Sequence, residues 1–226
     1  MIAAVIFDLD GVLLDSESVW NAARAELVAE HGGQWRPDAQ RAMMGMSSTE
    51  WSAYMHDTLG VAIPPQEISG AVVARLRRLY REHLPLLPGA RETVLRLARV
   101  RPLGLASSAN RSIIDLALEL ARIDECFTVT VSSEEVAHGK PAPDVYLHAA
   151  RKIGEAPERC AAVEDSTNGL RSAAAAGMTV IAVPNQDFPP AADALALAAK
   201  VLYSIEQLSP ELIDWLGAGD PASDGS

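Results

Sequence analysis

The sequence predicts an α/β fold, a Rossmann-like parallel sheet core carrying an inserted all-helical cap domain. Three features carry that expectation. Short apolar runs ending abruptly in polar residues recur along the chain, helical stretches separate them, and the segment from Asp15 to Leu87 has helical periodicity with no convincing strand.

The first run, AAVIFDLDG, is a buried parallel strand that stops at acids and a glycine. Helical periodicity then covers 17–30, 37–44, 48–58 and 66–83, with connections at 31–33 and 61–65. Pro88 and Gly89 precede a helix at about 89–99 that re-enters the core. Further strands are expected at 102–107, 127–132, 160–164 and 179–183. Helices fill the intervals: 110–121 with Asn110 as its N-cap, 143–153, and 168–176 closed by Gly177. The expected division is 1–14 with 88–216 as the core, 15–87 as the cap, and 217–226 (GAGDPASDGS) as a disordered tail.

A chain of 226 residues buries one substantial core plus a smaller appendage. No apolar run approaches the roughly 20 residues of a spanning helix, so neither a membrane nor a targeting segment is expected. A formal charge of −11 argues against nucleic acid or anionic lipid as partner, since both need basic patches. A net-negative chain that handles an anion must build a local positive site from metal, lysine and backbone amides. Cys126 and Cys160 read as reduced buried thiols rather than a disulfide, which suits a cytoplasmic location.

Four loops, each following an expected strand, carry chemistry. Asp8-Leu9-Asp10-Gly11 offers two carboxylates at the carboxyl end of the first strand, where open α/β sheets bind ligands. One acid can attack phosphorus while the other moves protons, although DxDG can equally be a plain turn. Ser107-Ser108-Ala109-Asn110 offers a hydroxyl and free amides at a helix start, a phosphate cradle or an ordinary cap. Lys140 sits between Gly139 and Pro141, one of only three lysines in the chain with Lys152 and Lys200. Val163-Glu164-Asp165-Ser166 adds a second acid pair, and Asp8 with Asp165 would suit magnesium as hard oxygen ligands. The order acid pair, hydroxyl, lysine, acid pair gives these motifs their force.

DLDGVLLDSE at 8–17, SSAN at 107–110, GKPAPDVY at 139–146 and VEDSTNGL at 163–170 resemble the four motifs of the haloacid dehalogenase superfamily, in its phosphatase and phosphomutase branch. The resemblance spans residues 3 to about 183. It implies that Asp8 is nucleophile and metal ligand, that Asp10 is general acid and base with its carbonyl on the metal, and that Ser107, Ser108, Ala109 and Lys140 hold the phosphate. It also implies that Asp165 completes a Mg2+ site with Glu164 as its partner. The expected substrate is a small phosphorylated metabolite, resembling a sugar phosphate, and the expected assembly a monomer or weak homodimer.

Asp10 sets the chain apart from the dehalogenases, and the absence of lysine from residues 1–139 removes the Schiff-base chemistry of the phosphonatases. The related mutases place a histidine and an arginine where Trp20 and Ser48 stand here, which favours hydrolysis over β-phosphoglucomutase-like transfer. A silent metabolite-binding protein is the remote alternative. Trp20, Trp51, Tyr54, Met43, Met44 and Met46 read either as the substrate side of the cap or as simple core. His138 is placed near the border of the site.

Overall fold

The computed structural model describes residues 1–44 and 46–218. Among them, six parallel strands form one sheet in the order β3-β2-β1-β4-β5-β6. The strands are β1 (Ala4–Phe7), β2 (Leu103–Ser107), β3 (Val129–Ser132), β4 (Cys160–Glu164), β5 (Thr179–Ala182) and β6 (Lys200–Val201). All four residues of β1 are buried, as expected of a central strand covered on both faces. Val5 and Phe7 join one hydrophobic cluster, and Ala4 and Ile6 join another, so the two-residue period of the strand feeds two cores. β2 and β4 flank β1, and the sheet order reverses there. That reversal opens a crevice beyond the strand ends.

Between β1 and β2 lie α1 (Glu17–Glu30), α2 (Ala39–Met43), α3 (Ser48–Asp57), α4 (Pro65–Glu82) and α5 (Ala90–Ala98). The chain enters and leaves the α1–α4 segment along adjacent paths. Asp15 N–H donates to Pro85 O at 2.7 Å, and Leu87 N–H donates to Leu13 O at 2.9 Å. Ser47 caps α3 through a reciprocal pair of hydrogen bonds with Glu50. The apolar stripe of α4 (Ile68, Val72, Leu76, Tyr80) is buried, and it packs against α1, α3 and the later helix α6 (Arg111–Ala121). Residues of α1, α3 and α4 share one hydrophobic cluster with β1 and β2.

The remaining helices are α7 (Asp144–Ile153), α8 (Thr167–Ala175), α9 (Ala192–Leu195) and α10 (Pro210–Ala218). The expected elements through 183 are present with shifts of one or two residues, and Gly177 adopts φ +78 just beyond α8 as anticipated. Three differences stand out. β6, α9 and α10 were not anticipated. α10 extends through Ala218, so 217–218 are helical rather than part of a tail, and the rest of the expected tail lies outside the described residues. Asn110 occupies the N-cap position of α6 but does not cap it with its side chain; Glu134 Oε2 accepts from Arg111 N–H at 2.9 Å instead.

No helix of the described residues is long and apolar enough to cross a membrane. Both cysteines are free thiols, Cys160 buried and Cys126 half-buried.

Candidate active site

Parallel register aligns the ends of three strands. Phe7 pairs with both Leu105 and Val163, so Asp8, the 107–110 loop and the Glu164-Asp165 pair emerge side by side. Asp8 N–H donates to Val163 O at 2.9 Å, which fixes the first residue of its loop. Lys140, only 3% exposed, reaches into this group from the loop before α7. Its Nζ donates to Asp8 Oδ1 at 2.8 Å and to Glu164 Oε1 at 2.5 Å.

Glu164 organises the floor of the site. Besides Lys140, its Oε1 accepts from the Tyr146 hydroxyl at 3.0 Å. Its Oε2 accepts from the N–H groups of Asp165 and Ser166 and from the Ser166 hydroxyl. Two glycines make room for the acids. A Cβ on Gly169 would lie 1.8 Å from Glu164 Oε1, and one on Gly11, at φ +80, would lie 2.0 Å from Asp165 Oδ2.

Asp10 faces the helices rather than Lys140. Its Oδ1 accepts from the Ser16 hydroxyl and from Trp20 Nε1 at 2.9 Å. In the second loop, Ser108 and Ala109 line the cavity. Ser107 is fully buried and is not among the lining residues; its Oγ accepts from Ala109 N–H at 3.0 Å. Ser132 Oγ donates to Ala109 O at 2.7 Å and Ser133 Oγ to Ser107 O at 3.3 Å, so the loop is braced from behind.

The cavity is about 50 Å³ and draws one wall from Asp8, Asp10, Ser108, Lys140, Asp165 and Ser166. The other wall comes from α1, α2 and their surroundings: Glu17, Trp20, Arg24, Met43, Met44, Met46 and Trp51. Trp20, Met43 and Trp51 line the cavity and are also nearly fully buried, while Tyr54 is outside the lining. Ser48 donates to Glu134 at 3.0 Å and does not line the cavity. His138 is 75% exposed at its side chain and contacts Asp144, away from the lining.

Sequence reasoning passed over Ser16, Glu17, Arg24 and Tyr146. Arg24 had a legible signal, because it falls in the apolar stripe of α1 with Trp20, Ala23, Leu27 and Val28.

Three buried carboxyls, Asp8, Glu164 and Asp165, crowd around one buried lysine, with half-buried Asp10 nearby, and the charge balance shows it. Burial pushes the Asp8 carboxyl up to about 8 despite Lys140, with Glu164 and Asp10 adding to the rise. Burial, reinforced by Glu164 and Asp8, raises Asp165 well above the ordinary carboxylate range. Burial also raises Asp10, against the hydrogen bonds from Ser16 and Trp20. Burial opposes the charge on Lys140, yet Asp8 and Glu164 overrule it and hold the ammonium protonated.

Such a site lacks positive charge. Asp165 Oδ2 is buried with no hydrogen-bond partner, and ligand oxygens of Asp8, Glu164 and Asp165 lie within 4.8 Å of one another. An all-oxygen donor set with a free buried carboxylate oxygen fits a hard divalent cation. Both oxygens of Glu164 are already engaged by protein donors, whereas Asp165 has an oxygen to spare.

Acids, one buried lysine and a hydroxyl-bearing loop, gathered beyond the ends of parallel strands, define an α/β enzyme whose site suits an oxygen-rich anion beside a cation. The chain belongs to the haloacid dehalogenase-like hydrolases, whose family model matches residues 2–177. It is 36% identical over 190 residues to hexitol phosphatase B of Escherichia coli K12, covering 81% of this chain and 84% of that one. It is 30% identical over 215 residues to a probable pseudouridine-5'-phosphatase of Drosophila melanogaster, covering 91% of each. Among solved structures, CbbY from Rhodobacter sphaeroides in complex with phosphate superposes with a TM-score of 0.82 at 28% identity, over 95% of this chain and 100% of that one.

Proposed function

We propose that the chain hydrolyses the phosphate ester of a small metabolite, a sugar phosphate or similar monoester, with Asp8 as nucleophile. The observation that carries this reading is the single cavity in which Asp8 meets Lys140 at 2.8 Å beside an unpartnered Asp165 oxygen.

An Asp8 carboxylate oxygen attacks phosphorus, and the bond from phosphorus to the ester oxygen breaks. Asp10 gives its proton to the departing oxygen. A water then attacks the aspartyl phosphate, Asp10 takes back a proton from that water, and phosphate leaves with Asp8 restored. The raised proton affinity of Asp10 suits a group that must be an acid in one step and a base in the next. Ser16 and Trp20 orient its carboxyl between turns of this cycle.

Lys140 and the Ser108 and Ala109 loop bind the transferring phosphate. Ser107 supports that loop from inside through its bond to Ala109. Asp8, Asp165 and the Asp10 carbonyl would hold Mg2+, with Glu164 fixing the lysine and the Asp165 backbone around it. When bound, the cation supplies charge neutralisation between the anionic nucleophile and the phosphate dianion. Residues 15–87 act as the cap that encloses the ester and excludes bulk water.

Phosphate release from a panel of sugar phosphates in magnesium tests this reading. Asp8→Asn abolishes turnover, as does chelation, and full activity in Asp8→Asn protein defeats the proposal. Asp10→Asn slows both proton transfers, by about 100-fold or more. An intramolecular phosphotransferase is the second reading. Trp20 and Ser48, where the related mutases carry histidine and arginine, favour hydrolysis. Conversion of β-glucose 1-phosphate to glucose 6-phosphate with little free phosphate would reverse that preference.

A further inference from the structure

Arg24 is 5% exposed, lines the cavity, and makes no hydrogen bond or ion pair among the described residues. Its Cζ lies 4.6 Å from the Trp20 ring centroid and 5.1 Å from that of Trp51. The two indoles, inclined at 68° to each other, both give the guanidinium cation–π contact, which does not supply its N–H donors with oxygen acceptors. The Arg24 Nε is buried with no hydrogen-bond partner, a costly state for a donor even though Glu17 attracts the charge. Nothing in the packing of α1 requires a cation there, because the other members of its buried stripe are apolar.

Glu17, two turns of helix earlier, lines the same wall. Its Oε2 accepts from Gln40 Nε2, and its Oε1 makes no hydrogen bond among the described residues. The wall therefore presents an unused donor fork and an unused acceptor, flanked by apolar Met and Trp surface.

We infer that Arg24 and Glu17 form the leaving-group subsite, and that this subsite takes a neutral polyhydroxy chain rather than a second anion. The inference rests on the phosphatase reading above and deepens it. Arg24 can donate to one hydroxyl oxygen while Glu17 accepts from another, and the thioether and indole surfaces cover the C–H face of the chain. Charge decides against a second phosphate or a carboxylate. Arg24 is the one cation on this wall and Glu17 offsets it. Lys140, the other lining cation, is already shared by Asp8 and Glu164.

The test compares kcat/KM for sorbitol 6-phosphate, phenyl phosphate, 6-phosphogluconate and fructose 1,6-bisphosphate in magnesium. Wild-type protein is expected to prefer sorbitol 6-phosphate. In Arg24→Met the ratio of its kcat/KM to that of phenyl phosphate should fall about 10- to 100-fold. Glu17→Gln is nearly isosteric and guards against a packing artefact; it should lower the same ratio. An unchanged ratio in both variants overturns the inference. So does wild-type preference for 6-phosphogluconate or the bisphosphate that Arg24→Met removes, since that marks an anion subsite. Release of phosphate from phenyl phosphate but not from sorbitol 6-phosphate overturns the inference and leaves the phosphatase reading standing. If wild-type protein releases phosphate from none of the four, that reading falls. Calorimetric binding of sorbitol 6-phosphate to Asp8→Asn protein then decides the subsite: weaker binding with Arg24→Met added supports it, and equal binding removes it.

Discussion

Lys140 brings one positive charge to two carboxylates, and all three groups are withdrawn from water. Replacing it with Met leaves Asp8 and Glu164 buried without their cation. Urea unfolding should show a loss of about 3 kcal/mol or more, and a loss under 1 kcal/mol would mean that the pair contributes little. Asp8 itself implies a pH dependence. Its folded-state value of about 8 lies far above the ordinary 3.8, so between those limits the folded chain holds a proton that the unfolded chain has released. Stability of the metal-free protein therefore falls as pH rises through that window, by up to about 1.4 kcal/mol per unit for one such group. Melting in chelator should occur at lower temperature at pH 8 than at pH 6, and magnesium should restore more at pH 8. A melting temperature flat across that range in chelator would contradict the burial of a protonated Asp8. At this scale the sequence was informative where chemistry is concentrated in short motifs. Asp8, Asp10, Ser108, Ala109, Lys140 and Asp165 come together around one cavity. Ser107 was harder to place, because whether a strand-end hydroxyl faces a ligand or its own loop depends on a single rotamer.

Strand ends and the glycines beside them set the spacing of the acids. Gly11 is the sharpest case, since its φ of +80 and the Asp165 carboxylate both exclude a side chain. Gly11→Ala should push Asp165 aside by enough to lower kcat by about 100-fold. It should also erase the magnesium-dependent rise in melting temperature. Retention of that rise would show that Asp165 is not the ligand it is taken to be. Elements were legible where periodicity was strong. β1, β2, β4 and β5 are apolar runs with polar stops, and α4 and α6 carry continuous buried stripes. β6 is two residues long at a sheet edge, too short to show a period, and its pairing with β5 is purely tertiary. The start of α6 reads as capped by Asn110, yet Glu134, 24 residues away, outcompetes it. Local sequence cannot report a cap supplied from another loop.

Across the whole molecule, the C-terminal helix closes on the beginning of the chain. Arg101 donates to Ile2 O at 3.0 Å and pairs with Asp214 of α10, while Gly217 lies so near Ile2 that a Cβ there would sit 2.6 Å from its backbone nitrogen. Arg101→Ala removes this clasp far from the cavity. A loss of about 1 kcal/mol should lower the melting temperature by about 2–4 °C with kcat unaltered. A fall in kcat at unchanged stability would connect the clasp to the site instead. This closure was invisible beforehand because it joins residues from opposite ends of the chain, and Gly217 was assigned to a tail. The scarcity of lysine offers a further use. Lys152 has a side chain 44% exposed and Lys200 is exposed, whereas Lys140 is sealed beneath both walls of the cavity. An amine-acylating reagent should therefore tag Lys152 and Lys200 within minutes and reach Lys140 only when the two walls part. The tagging rate at that one amine, read by mass spectrometry, becomes a clock for how often the chamber opens.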